Sequence, residues 1–169
     1  AITWGTPVIV KSSNVGSANT SYRLAYGNGV FVATYVTGAQ ARLKAGEVSG
    51  TNSITLGSEL VPNGSDAAGT RTSVSYNSNA GKFIFSYSLN STTSIGCWIV
   101  SNSGTTLSVG QSSPDLTITN AGNNYGIFAN IYDPDTYKTI IGVDGYSNDT
   151  GRIYACTISG SSLTAGTPY

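Results

Sequence analysis

Apolar and polar residues alternate with a period near two through most of this chain, and short clusters of Gly, Asn, Ser and Asp break the alternation. That pattern predicts strands joined by turns. ITWGTPVIV (2–10), SYRLAY (21–26), VFVATYV (30–36) and ARLKAGEV (41–48) read as the first four. GNG between the second and third is a hairpin signal, because Gly and Asn tolerate positive φ. ITLGSELV, TSVSY (72–76), FIFSYSL (83–89) and IGCWIV (95–100) follow the same plan, then LSVGQSS, GIFANIY (126–132), TIIGVD (139–144) and RIYACTI (152–158). Tyr26, Tyr76 and Tyr132 close the second strand of each set. No segment holds a 3.6-residue apolar period over three turns, so no helix is expected.

The sets are repeats. An apolar residue, Ser or Thr, any residue, Gly and a small polar residue recur at Ile2–Thr6, Ile54–Ser58, Leu107–Gln111 and Leu163–Thr167, at spacings of 52, 53 and 56 residues. A fixed period of this length marks a repeat architecture. The units run 1–53, 54–106 and 107–162, and 163–169 reads as the first strand of a further repeat or as a swapped strand. Each unit is a four-stranded antiparallel meander. The third strands are apolar on both faces, so each sheet must be covered on two sides. Blades of a β-propeller meet that requirement. A β-sandwich would show stricter alternation in those strands. The fold class is therefore all-β, with three propeller-type blades and the first strand of a fourth.

Composition narrows the partners. Only 9% of residues are charged and the net charge is zero, against roughly 25% charged in ordinary soluble domains. Without Lys or Arg runs there is no surface for tracking phosphates, so nucleic acid is not an expected partner. No apolar run is long enough to span a bilayer as a helix. A neutral surface rich in Ser, Thr and Asn suits an extracellular or virion-surface location. The chain has no Met, which together with the broken fourth unit suggests a piece of a longer polypeptide. Cys97 and Cys156 lie in corresponding strands but at different distances from their apolar anchors Val100 and Ile158. They should point opposite ways in their sheets, which predicts half-buried thiols in place of a disulfide.

SNDTGRIY carries Ser147, Asp149, Gly151 and Tyr154 in the order S-x-D-x-G-x-x-aromatic. It resembles the Asp-box of sialidases and other propellers, where the motif is structural and sits between a blade's third and fourth strands. The repeat as a whole, with its G-T-P-V strand, its Y-D-P-D-x-x-K and Y-N-S-N-x-G-K turns and its S-G-T-x-[IL] links, resembles repeats of phage and viral tail-fibre or head-fibre proteins. That resemblance implies a surface-displayed module for adhesion or decoration.

Candidate chemistry is sparse. With no His, Ser–His and Cys–His nucleophile pairs are excluded, and no metal site or cofactor is expected. Asp133, Asp135, Asp144 and Asp149 fall in or beside turns, where Asp commonly caps its own backbone. Arg23, Arg42, Arg71 and Arg152 share no repeat position, so they do not form the Arg cluster that sialidases use. Trp4 and Trp98 occupy core slots. Sugar sites combine an aromatic face with polar loop groups, and Tyr125, Tyr146, Asn123, Asn124 and Asn148 provide both on the long-loop rim. The expected function is a non-enzymatic structural or adhesion module that assembles with copies of itself or with further repeats of its parent chain. A lectin-like glycan-binding domain is the alternative, and a propeller-type glycoside hydrolase a distant third.

Overall fold

The computed structural model describes residues 7–10, 22–37, 40–50, 53–62, 68–89, 95–110, 126–144 and 151–169. These residues form twelve strands in three antiparallel four-stranded sheets and no helix. The first sheet holds β1 (Arg23–Gly27), β2 (Val30–Thr37), β3 (Gln40–Ser49) and β4 (Ser53–Leu60) in sequential order. The second holds β5 (Ala68–Asn77), β6 (Lys82–Leu89), β7 (Ile95–Ser103) and β8 (Thr106–Val109). The third holds β9 (Gly126–Asp133), β10 (Lys138–Asp144), β11 (Arg152–Ser159) and β12 (Ser162–Ala165).

The meander is as the sequence predicts, but its phase is not. The recurring phrase ends each sheet and does not open the next. The turns decide this. Ser103 pairs with Thr106 and Ser159 with Ser162, leaving two-residue loops that begin with Gly104 (φ 53°) and Gly160 (φ 61°). A Gly with positive φ at the first loop position is the type II′ hairpin that suits twisted antiparallel strands. Each S-G-[ST] link therefore folds the phrase back onto the strand before it. Residues 163–169 are accounted for in the same way, and are not the start of a fourth sheet. β12 pairs with β11, and Tyr169 exchanges backbone hydrogen bonds of 3.1 and 3.0 Å with Ile153.

Cross-strand register lets the sheets be superimposed position by position. Tyr26, Tyr76 and Tyr132 pair with Phe31, Phe83 and Thr139 respectively. We call the face carrying these residues the rear of each sheet, and the opposite face the front. The front of the first sheet (Val30, Val32, Leu43, Ala45) packs on the rear of the second (Val74, Phe83, Phe85, Trp98, Val100, Leu107). The front of the second (Ile84, Ile95, Cys97, Ile99) packs on the rear of the third (Ile141, Val143, Tyr154, Cys156, Leu163). The middle sheet is thus covered twice, which explains why all six residues Phe83–Ser88 of β6 are buried. First strands crowd together, β1 beside β5 and β5 beside β9. The three sheets form an open array and do not close a ring.

The invariant Gly of the phrase now has a physical reason. A Cβ on Gly57 would lie 2.0 Å from the carbonyl oxygen of Thr105, in the β7–β8 turn of the next sheet. Gly57 also occupies a bulge, since Lys44 pairs with Glu59 but Gly46 pairs with Leu56. Gly110 sits the same way toward Ser161 in the β11–β12 turn, where a Cβ would come within 3.3 Å. One sheet's edge notch receives the next sheet's hairpin tip. The third equivalent, Gly166, has among the described residues only Ala155 of its own sheet nearby, at 3.2 Å.

Substitution by Ala should therefore be graded. Gly57→Ala forces backbone apart and should cost about 1–3 kcal/mol, the range for overpacking. Gly110→Ala should cost less and Gly166→Ala least. Urea midpoints of the three variants check the order, and equal midpoints would show that the notch does not matter.

Candidate functional site

Most residues singled out from sequence as a glycan rim lie outside the described residues: Tyr125, Tyr146, Asn123, Asn124 and Asn148 all do, as do Ser147 and Asp149 of the Asp-box-like motif. Its other two members are placed. Gly151 is exposed just before β11, and Tyr154 is buried between the second and third sheets. The segments that carry the predicted rim residues, 110–125 and 145–151, join β8 to β9 and β10 to β11, whereas tight turns join β5 to β6 and β9 to β10.

Those turns consume two polar side chains. Asp133 Oδ1 accepts a bond from the Asp135 amide at 3.1 Å and Oδ2 one from the Thr136 hydroxyl. The Thr136 hydroxyl bond first, then the Asp135 amide, hold the Asp133 carboxyl below its ordinary value. Asn77 caps the equivalent turn by accepting from the Ala80 amide at 2.9 Å. Trp98 is buried, with Nε1 donating to the Tyr87 hydroxyl at 3.1 Å, as expected of a core position.

One cluster of ionisable side chains stands out, on the rear of the first sheet, and the sequence did not disclose it. Arg42 on β3 is the cross-strand partner of Tyr35 on β2. The Tyr35 hydroxyl donates to Glu59 Oε2 at 2.5 Å. Arg42 forms an ion pair with the other oxygen of Glu59, and its second terminal nitrogen donates to Gln40 Oε1 at 2.8 Å. Tyr22 stacks on Tyr35 with ring centroids 6.3 Å apart. Arg42 Nε is buried without a hydrogen-bond partner. Lys44, on the same face, donates to the Val10 carbonyl at 3.2 Å and so ties the 7–10 segment to this sheet.

Burial first, and then the bond to Glu59, push the Tyr35 phenol well above its ordinary range. It stays protonated at any physiological pH. Glu59 accepts from both partners, so it is not poised as a base. The cluster locks β2, β3 and β4 together and supplies neither a nucleophile nor an acid–base pair. Among the described residues no group of His, Cys, Asp or Glu converges as metal ligands. None of their helices could cross a membrane, there being none.

The cysteines give a separate result. Cys97 projects from the front of the second sheet and Cys156 from the rear of the third. Their directions within equivalent sheets are opposite, as the sequence predicts. Because fronts pack on rears, that opposition brings both thiols into one interface. Both are fully buried, more deeply than the half-buried state expected, and neither forms a disulfide. Ser86 Oγ lies 3.2 Å from the Cys97 sulfur.

No protein-family model, curated protein or solved structure matches this chain. Its class therefore rests on its own geometry: an all-β protein of three stacked four-stranded sheets.

Two stability measurements follow. Glu59→Ala strands the Tyr35 hydroxyl and the Arg42 guanidinium together, and should cost about 1.5–3 kcal/mol by the loss of charge-assisted bonds. Glu59→Gln should retain part of that, and urea titration compares them. Burial also pushes the Cys156 thiol from 9.0 up to about 11. The unfolded chain then ionises first, so stability is unaffected below pH 9 and falls between pH 9 and 11. The urea midpoint of Cys156→Ala should fall less steeply across that window than that of the unaltered protein.

Proposed function

We propose that this chain is a non-enzymatic structural or adhesion module displayed outside a cell or virion, within a fibre, appendage or decoration. In this reading the sheets are propeller-type blades, and further blades come from copies of the chain or from a longer parent. The observation that carries it is the same front-to-rear contact made twice in succession, with equivalent positions on each side. Such a contact extends in one direction by adding like units. The crowding of β1, β5 and β9 on one side fits strands gathered near a propeller axis. A chain with 9% charged residues and zero net charge fits display in the open, where solubility rests on hydroxyl and amide groups. The described charged cluster is engaged in holding strands and leaves no catalytic pair.

A glycan contact is the second reading. What favours it is the combination of Tyr125 and Tyr146 with Asn123, Asn124 and Asn148 in the long connections of the sequence.

Labelling the intact cell or particle with an antibody to this chain should succeed without lysis. Labelling that appears only after lysis sinks the surface role. A panel of fluorogenic glycosides should show no turnover, and turnover would overturn the non-enzymatic reading. On a glycan array, binding that is lost in Tyr146→Ala supports the second reading, while no sugar bound at millimolar concentration leaves the structural role alone.

A further inference from the structure

We infer that the front of the third sheet is a docking face for the rear of the first sheet in a second copy of this chain. The inference rests on the blade reading above and names its partner surface.

Register shows that both outer faces repeat apolar positions of the inner ones, although the rear of the first sheet carries Arg42 and Lys44 where the second carries Gly96 and Trp98. On the front, Leu43, Cys97 and Ile153 occupy one position in the three sheets, since they pair with Thr34, Ser86 and Gly142. Leu43 and Cys97 are 0% exposed, covered by the next sheet, whereas Ile153 is 52% exposed. Val32, Ile84 and Ile140 form a second such series, and only the last is not fully buried. Ile131, paired with Ile140, is 62% exposed on the same face. The rim repeats as well. Lys82 donates to Ser101 at 2.7 Å at the edge of the second sheet's front, and Lys138 donates to Thr157 at 2.6 Å in the equivalent place on the third.

The rear of the first sheet answers it. Leu24, Tyr26 and Ile54 hold the places that Val74, Tyr76 and Leu107 hold on the rear of the second sheet. There Val74 and Leu107 are buried against the sheet in front, with Tyr76 packed beside them. Leu24 and Tyr26 are 69% and 71% exposed. Apolar patches of this kind on an otherwise polar chain mark interaction sites. The edge notch repeats as well. Gly57 and Gly110 each receive a hairpin tip from the following sheet, and among the described residues Gly166 meets no tip from another sheet. The β3–β4 connection also opens on a Gly of positive φ, Gly50 (61°), but is one residue longer than its counterparts, since Ser49 pairs with Ser53.

The occupant is a second copy because the rear of its first sheet carries Leu24, Tyr26 and Ile54 at the positions that Val74, Tyr76 and Leu107 use in the internal contact. The contact is heterologous, so a docked pair keeps one free front and one free rear.

Sedimentation of three proteins tests this. The unaltered chain should associate with rising micromolar concentration. Ile131→Lys with Ile153→Lys blocks the front; Leu24→Lys with Tyr26→Lys blocks the rear. All four positions are exposed, so each pair should keep its urea midpoint. Each blocked protein alone should stay monomeric. Mixed one to one, they should form a dimer of one of each, twice the monomer mass, and grow no further. A two-fold symmetric contact cannot give that mixture, and association of either blocked protein alone overturns the inference. So does an unaltered chain that stays monomeric, whatever the blocked variants do. The surface role is read independently, by labelling intact particles.

Discussion

Everything in this fold depends on the directional contact between the front of one sheet and the rear of the next. A four-stranded meander buries little by itself, and isolated small sheets are at best marginal in water. Here the middle sheet is covered on both sides, which lets Phe83, Phe85, Ile84, Ile99 and Trp98 all lie in the interior. The glycine notch sets how closely sheets approach at the edge. A hairpin tip fits against Gly57 only because there is no side chain there. The phrase that recurs in the sequence is thus the imprint of a contact between units, more than a feature of any one unit.

The two internal contacts share a shape but not a polar code. Between the first and second sheets, the hydroxyls of Thr34 and Thr72 meet at 2.9 Å inside an apolar setting. Between the second and third, Asn130 replaces the position that Val74 holds one sheet earlier. Its Nδ2 donates to the Ile84 carbonyl at 3.1 Å and to Ser86 Oγ at 2.9 Å, and its amide donates to Ser73 at 2.9 Å. Placing the third sheet's rear against the first sheet's front would offer Asn130 the Thr34 hydroxyl in place of Ser86, but Arg23 stands where Ser73 does and cannot accept from the Asn130 backbone amide. Polar residues therefore fix the order of sheets that the apolar pattern alone would leave interchangeable.

Most strands and the tight hairpins were legible in the sequence because each rests on local signals, period-two alternation and Asn or Gly at loop positions, although residues 7–10 of the expected first strand lie in none and β5 extends over 68–77 where 72–76 was expected. Asn28 (φ 48°) and Gly29 (φ 80°) form the turn that GNG announces. The phase of the sheets was legible only in part. The S-G-[ST] link is also a local hairpin signal, but its repetition made it look like a boundary between units. The Tyr35–Arg42–Glu59 cluster was not legible. Tyr35 and Arg42 follow from the β2–β3 hairpin, yet Glu59 reaches them only through the bulge at Gly57, whose place depends on the neighbouring sheet. The cysteines show the same division. Their faces were readable from spacing, but that opposite faces meet is a property of stacking.

A heterologous contact either closes or runs on, and the first strands bear on which. β1, β5 and β9 adjoin one another, while the fourth strands touch mainly where a hairpin tip enters a notch. Sheets hinged along one side must turn by a similar angle at each step. A constant turn about a common side curves the array toward itself, whereas flat stacking would let it grow as a rod. The sequence period keeps that step nearly uniform, at 53 and 56 residues between successive phrases of the described sheets. The insertions that alter the spacing fall in the long connections, outside the sheets. The geometry of the step is thereby insulated from loop variation, so the same chain architecture can vary its rim freely while its units continue to fit one another.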